Sequence, residues 1–394
     1  MSKINDLIKE LCPNGVKFYQ IKDIAKVTIG EFVHKNKQSD DGQYPVYNGG
    51  TSNTGFYDEY NNDGHKVIIS ARGANAGFIN RIKGKYWAGN SCYTININDE
   101  SKLDWNYLYQ YLKNNQSTLL GVQQTGSIPA ISKKQVEDFK IAIPPIEVQE
   151  EIVRILDKFG ELEAELEAEL EARKSQYEFW RGDLFKQDID KMVALENIGD
   201  VTKLAGFEFS EYVNYSDEGN IIALRGLNVK NGHLILNDVK YVDNSDFSKL
   251  NRSKLYENDI LYTYVGTVGQ VGLVDKNDKY YLAPNVARIR ILDKKVNPKY
   301  VMHFLLTNEF KTNQLDPLSG TSSMKNITMT NIRKFKIPVP SLDKQNRIVD
   351  ILDKFDSLVN DISVGLPAEI ELRRKQYEYY RNKLLSFEEL SVSE

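Results

Sequence analysis

The sequence predicts an α+β chain written twice: two tandem mixed α/β domains joined by two long helices. The helices are expected to form an antiparallel coiled coil, with the whole pseudo-twofold symmetric. Three observations predict this. The block IAIPPIEVQEEIVRILDKF (141–159) returns as IPVPSLDKQNRIVDILDKF (337–355), an offset of 196 residues. Further on, RKSQYEFWR (173–181) returns as RRKQYEYYR (373–381), now at an offset of 200. Between the first members of these pairs lies ELEAELEAELEA (161–172), three copies of a quartet of helix-favouring residues, with no Gly or Pro from there to Arg181.

In chain order, residues 1–140 are expected to form the first domain. Residues 141–187 form the first long helix, 188–334 the second domain, and 335–394 the second long helix and a C-terminal tail. The domains correspond loosely. QIKDIAKV (20–27) answers ALENIGDV (194–201), YWAGN (86–90) faces YLAPN (281–285), and TGSIPAIS (125–132) faces SGTSSMKNIT (319–328). VIISARGANAGFI (67–79) and ILYTYVGTVGQVGLV (260–274) each read as an apolar strand, a Gly-rich turn and a second strand. Each domain is therefore built of short strands, turns and a few helices. It ends at prolines that mark where irregular chain gives way to helix.

In the first helix Ile152, Leu156, Phe159, Leu162, Leu166, Leu170, Tyr177, Trp180 and Leu184 fall at spacings of three, four or seven, which makes one apolar stripe. Ile348, Leu352, Phe355, Leu358, Ile362, Ile370, Tyr377, Tyr380 and Leu384 repeat it. Two such stripes on one chain are satisfied by packing together, as a rod of about 60 Å with a domain at each end. The second copy is four residues longer, near SVGLPAEI (363–370), where Gly365 and Pro367 should interrupt the helix that the first copy runs straight through.

With 394 residues the chain is long enough for two or more domains. Cys12 and Cys92 form neither a disulfide framework nor a zinc spacing, no run approaches a membrane span, and a soluble cytoplasmic protein is expected. The net charge of −4 sits mainly in the helical segments: residues 141–187 hold 6 basic against 12 acidic residues, whereas residues 1–140 hold 17 against 14. Phosphate contact by the domains is thus compatible with an acidic chain. GGTSNTGFYDE lacks the lysine of a phosphate-binding loop, and GNSCY lacks the flanks of a nucleophile elbow. His34, His65, His233 and His303 are scattered, and no Asn or Asp precedes the proline pairs to make an amino-methyltransferase loop. The expectation is a non-catalytic chain without a metal or cofactor of its own.

Two variable domains alternating with two near-identical helical segments resemble the specificity subunit of a type I restriction-modification system. The paired QEEIVRILDKF and KQNRIVDILDKF blocks, GLPAEIELRRKQYEYYRNKLL, TGSIPAIS and GTSSMKNIT carry the resemblance. It implies a DNA reader whose two domains each take one half of a bipartite, asymmetric site in double-stranded DNA. It also implies two modification subunits that bring S-adenosylmethionine and methylate adenine, and translocating restriction subunits that join for cleavage. One quartet adds about 6 Å of rise and about 40° of rotation, on the scale of one or two base pairs, so the repeat is read as a ruler for half-site spacing.

Base and phosphate readout needs donors on loops, with Tyr for stacking. In the first domain the candidates are Lys35, Lys37, Arg72, Asn75, Arg81, Lys83, Lys85, Gln124 and Ser127. In the second they are Arg225, Asn228, Lys230, Tyr262, Tyr264, Gln270, Ser323 and Lys325. Asn90 and Asn285, in turns, are read as structural. Tyr177, Phe179, Trp180, Tyr377, Tyr379 and Tyr380 exceed what one helical seam buries and are candidates for partner docking, with packing between the helices as the equal alternative. Two other classes stay open, a coiled-coil scaffold and an enzyme of unrecognised motif. A scaffold would show no salt-dependent affinity for duplex DNA, and an enzyme would turn over a small molecule alone.

Overall fold

A computed structural model of the chain describes residues 2–121, 129–186, 191–204, 211–318 and 326–390. The chain divides into two compact units, residues 1–166 with 370–394, and residues 167–369. Each unit thus holds one domain, about half of the first long helix and part of the second.

The repeat seen in the helices extends to the four-stranded, three-stranded and two-stranded sheets that each unit carries. In the first unit a four-stranded antiparallel sheet runs in the order Ala25–Ile29, Cys92–Ile97, Lys66–Ser70, Ile79–Ile82. Beside it a three-stranded sheet runs Gly55–Tyr57, Tyr44–Tyr47, Trp87–Ala88, its last pair parallel. The second unit gives Gly199–Lys203, Val286–Ile291, Ile260–Thr263, Val271–Leu273, then Lys240–Tyr241, Ile222–Leu224, Tyr280–Leu282, again with the last pair parallel. Lys17–Gln20 pairs with Lys140–Ile143, and Met192–Ala194 with Lys336–Pro338, so in each unit a short ladder precedes the long helix.

Buried aliphatic residues of these strands form the cores: Val27, Val67, Ile69 and Ile95 in the first unit, and Val201, Ile260, Val271 and Ile289 in the second. The second unit alone carries a further hairpin, Val229–Lys230 with His233–Leu234. Its turn is Asn231-Gly232 with φ of 50° and 92°, the left-handed pair that a two-residue hairpin turn requires.

The first long helix, Ile146–Lys186, is continuous over 41 residues, about 62 Å at 1.5 Å per residue. The second is broken into Leu342–Asn360 and Leu366–Leu384. At the break a side chain on Gly365 would place its Cβ 2.5 Å from the Ser357 carbonyl oxygen, so this chain path needs glycine. Within the first unit the helices run antiparallel, since Phe159 packs against Tyr377 and Tyr380 while Glu163 pairs with Arg374. Within the second, Tyr177 stacks on Phe355 at 6.1 Å.

The expected stripes hold with three corrections. Trp180, Leu358 and Ile362 are exposed, while Phe185 and Val359 are buried instead. Ile362 leaves the stripe because the helix has ended by residue 361, and periodicity means nothing outside a helix.

Each domain is bolted to its helix by one buried glutamine. The Gln149 amide oxygen accepts from Asp104 N at 2.9 Å, and its nitrogen donates to the Lys102 and Pro144 carbonyls at 2.8 and 2.7 Å. Gln345 repeats this with Asn297 N, Lys295 O and Pro340 O at 2.9, 2.9 and 2.8 Å. Asp104 and Asn297 in turn cap the helices Trp105–Asn114 and Pro298–Leu305.

Candidate nucleic-acid interface

Loops gather at one end of the sheets in each unit because strand exits there are tied together by backbone bonds. In the first unit Glu31 N donates to Ala88 O at 2.8 Å, Ala71 N to Ser91 O at 2.7 Å and Ile131 N to Ala71 O at 2.8 Å. In the second, Tyr264 N donates to Asn285 O at 3.1 Å, Ile327 N to Tyr264 O at 2.9 Å and Ala283 N to Leu224 O at 3.2 Å. The Gly-rich turns have a reason. Gly77 and Gly269 hold φ of 78° and 86°, and a Cβ on either would lie 2.5 Å from Leu120 or Leu315. Asn285 is left-handed at φ 69°, in keeping with its structural reading.

Arg72 and Asn75 lie exposed in the turn after Lys66–Ser70, at this loop end. Lys35 and Lys37 are exposed on a short 3-10 turn in the long connection that leaves the same end. Arg81, Lys83 and Lys85 lie at or beyond the end of Ile79–Ile82 where Ile82 pairs with Lys66, which puts them at the opposite end of the sheet. Lys85 sits 4.3 Å from the Tyr60 ring centroid, and Lys83 5.8 Å from that of Trp105. In the second unit Arg225 and Gln270 sit at the loop end, whereas Lys230 rides on the extra hairpin. Gln124, Ser127, Ser323 and Lys325 lie outside the described residues.

Four candidates are corrected. Arg81 is committed inside its unit, donating to Asn106 at 2.7 Å and Asp157 at 3.2 Å, which ties sheet to long helix. Asn228 is fully buried and donates to the Ile235 and Asp238 carbonyls at 2.8 and 2.7 Å, so it builds a turn. Tyr262 and Tyr264 are buried in the core, and burial pushes both phenols up, keeping them neutral. The sequence reads them as stacking residues, but the strand Ile260–Thr263 is buried at every position and Tyr264 follows it into the core.

Among the helix aromatics, Tyr177 is also corrected: it is buried and its hydroxyl donates to Asp356 at 3.2 Å. Tyr377 and Tyr380 pack half-buried on Phe159, with the Tyr377 hydroxyl donating to Gln110 at 3.1 Å. Phe179, Trp180 and Tyr379 remain exposed, and Phe179 and Tyr379 are matching positions of the repeat at 62 and 59% exposure. Sequence reasoning missed the cluster around Asp356, which also meets His233 Nε2 at 2.8 Å. The Asn231-Gly232 turn was the signal that could have placed that histidine on a hairpin.

Among the described residues no group of three His, Cys, Asp or Glu side chains is arranged to hold a metal ion. No described helix is long and apolar enough to cross a membrane.

The sequence profile described as the type I restriction modification DNA specificity domain matches twice, over residues 13–172 and 191–372. The chain belongs to that family. Among specificity subunits, the EcoR124I/EcoR124II subunit of Escherichia coli is 32% identical over 309 residues, 73% of this chain and 72% of that one. Two solved specificity subunits share the fold. The one from M. genitalium is 17% identical with a TM-score of 0.56, covering 94% of this chain and 96% of its own. That from Thermoanaerobacter tengcongensis is 14% identical with a TM-score of 0.53, covering 95 and 97%. The duplicated specificity domain is thus common to this chain and to its family.

Proposed function

We propose that this specificity subunit reads a bipartite, asymmetric site in double-stranded DNA, one half-site per domain, with domains 1–140 and 188–334 and helical segments 141–187 and 335–394. The observation that carries the reading is one scaffold with two sets of loops. The four-stranded and three-stranded sheets match strand for strand, yet the loop end of one unit presents exposed Lys35, Lys37, Arg72 and Asn75, whereas that of the other holds half-buried Gln270 and an Arg225 already paired with Asp238 at 2.9 Å. Equal scaffolds with unequal donors read unequal half-sites. Lys83, Lys85 and Lys230 are assigned to phosphate contact along the flanks.

The chain itself is non-catalytic and acts in the cytoplasm with two modification subunits. These supply S-adenosylmethionine and flip the target adenine, a job for which this chain has no sequence signature. Restriction subunits join for cleavage. Exposed Phe179, Trp180 and Tyr379 support docking of the modification subunits at two repeated places.

The test is a domain exchange. Replacing residues 20–130 by the matching segment of a related subunit, then sequencing methylated sites made by the assembled complex, should change one half-site and leave the other. A change in both halves would overturn the modular reading.

A further inference from the structure

Two of the described differences between the units lie together. Where the second unit carries its extra hairpin, the first runs a bend through residues 48–52. Where the second long helix is interrupted at 361–365, the first is continuous. In the second unit the hairpin closes on the helix just before the break. Asp356 takes the His233 ring at 2.8 Å, the Tyr177 hydroxyl at 3.2 Å and the Asn360 amide at 2.9 Å.

A cleft of about 970 Å³ lies between hairpin and helix. Leu273, Met302 and Leu306 give it an apolar wall. At its rim stand Leu236, 40% exposed, and Ile362, 84% exposed. Its charge is acidic. Lys299 and His233 are spent on Asp353 and Asp356, at 2.7 and 2.8 Å. Glu257 and Asp275 face the cleft against Lys230, with Lys276 3.9 Å from Asp275, while the Asp361 carboxylate at the rim also accepts from Ser363 N and Oγ at the helix break, at 2.7 and 2.6 Å.

We propose that this cleft docks a basic, amphipathic segment of a partner subunit, one segment per complex. The apolar wall and rim take the nonpolar side chains of such a segment, and the carboxylates take its Lys or Arg residues. Its stoichiometry follows from the repeat. Partners docked equivalently on both copies of the repeat need surfaces that both units carry, whereas a cleft formed by a hairpin and a helix break of one unit serves a single copy.

The test uses the full chain assembled with its modification and restriction subunits. Ile362→benzoylphenylalanine and Leu236→benzoylphenylalanine place photo-cross-linkers at two exposed positions, and Leu166→benzoylphenylalanine, the position matching Ile362 in the first copy, is the control. Expected is an adduct from both rim positions to the same Lys/Arg-rich segment of one partner chain, at one per complex, with no such adduct from the control. A Glu257→Lys, Asp275→Lys double substitution should reduce its yield at least tenfold. An assembled complex without adduct, or with adducts to DNA, to a second copy of this chain or to an acidic segment, overturns the proposal. Methylation measured on the same complex reports separately on the DNA-reading role: methylation without adduct sinks the cleft alone.

Discussion

At the scale of single residues, the two glutamines that bolt domain to helix carry more than their sequence suggests. Gln149 and Gln345 are fully buried and each satisfies one backbone donor and two carbonyls that have left water. Gln149→Ala strands those groups and is expected to cost roughly 2–3 kcal/mol in urea unfolding. A cost below about 0.5 kcal/mol would return the residue to ordinary packing. His233 supplies a pH dependence. Its hydrogen bond to Asp356 raises its pKa against the opposing effect of burial, with Asp353 and Asp361 adding to the rise. Burial raises the Asp356 carboxyl, but His233, Asn360 and Tyr177 outweigh it and the net shift is down. A raised histidine stabilises fully below its ordinary value near about 6.5, and the contribution is lost as pH climbs through the folded value above it. Amide exchange in residues 229–234, corrected for intrinsic rates, should therefore be slower relative to the rest of the chain at pH 6 than at pH 9. The His233→Ala variant should lose that difference.

At the scale of elements, the long helix shows why its quartet is four residues and not two. Leu162, Leu166 and Leu170 are all half-buried along Ile146–Lys186, a row that drifts slowly because four residues fall about 40° beyond one turn. Deleting residues 165–168 shortens the helix by about 6 Å and keeps the row nearly in phase. Methylome sequencing of this deletion is expected to return both half-sites with a spacer one or two base pairs shorter. Deleting two residues instead turns the following stripe by about 200°, so that assembly should fail. An unchanged spacer with activity retained after the four-residue deletion would make the quartets a passive helix. The Gly365 and Pro367 interruption was legible for a local reason, since neither residue supports an uninterrupted helix. The consequence for Ile362 was not, because a stripe drawn on a helical wheel assumes the helix.

At the scale of the whole molecule, each unit has a main core of its own within one repeated architecture, and no described cluster is arranged for metal chemistry. The purified chain is expected neither to bind S-adenosylmethionine nor to transfer a methyl group to any duplex. Both should appear on adding a modification subunit, as followed with labelled methyl donor. Methyl transfer by the chain alone would contradict the division of labour proposed for it.

The sequence by itself determined the duplication, the helices, the break at Gly365 and the family, because these are carried by local periodicity and by blocks that survive side by side in one chain. It also located the Gly-rich turns, whose glycines hold left-handed backbone. Only the tertiary structure decided which polar residues face outward. Arg81, Asn228, Tyr262, Tyr264 and Tyr177 all look like surface chemistry in the sequence, and each is committed to partners or a core that chain folding brings from elsewhere. Arg81 meets Asp157, and Tyr177 meets Asp356, across separations of 76 and 179 residues. Burial is a property of what packs on a residue, and no window along the chain contains that partner.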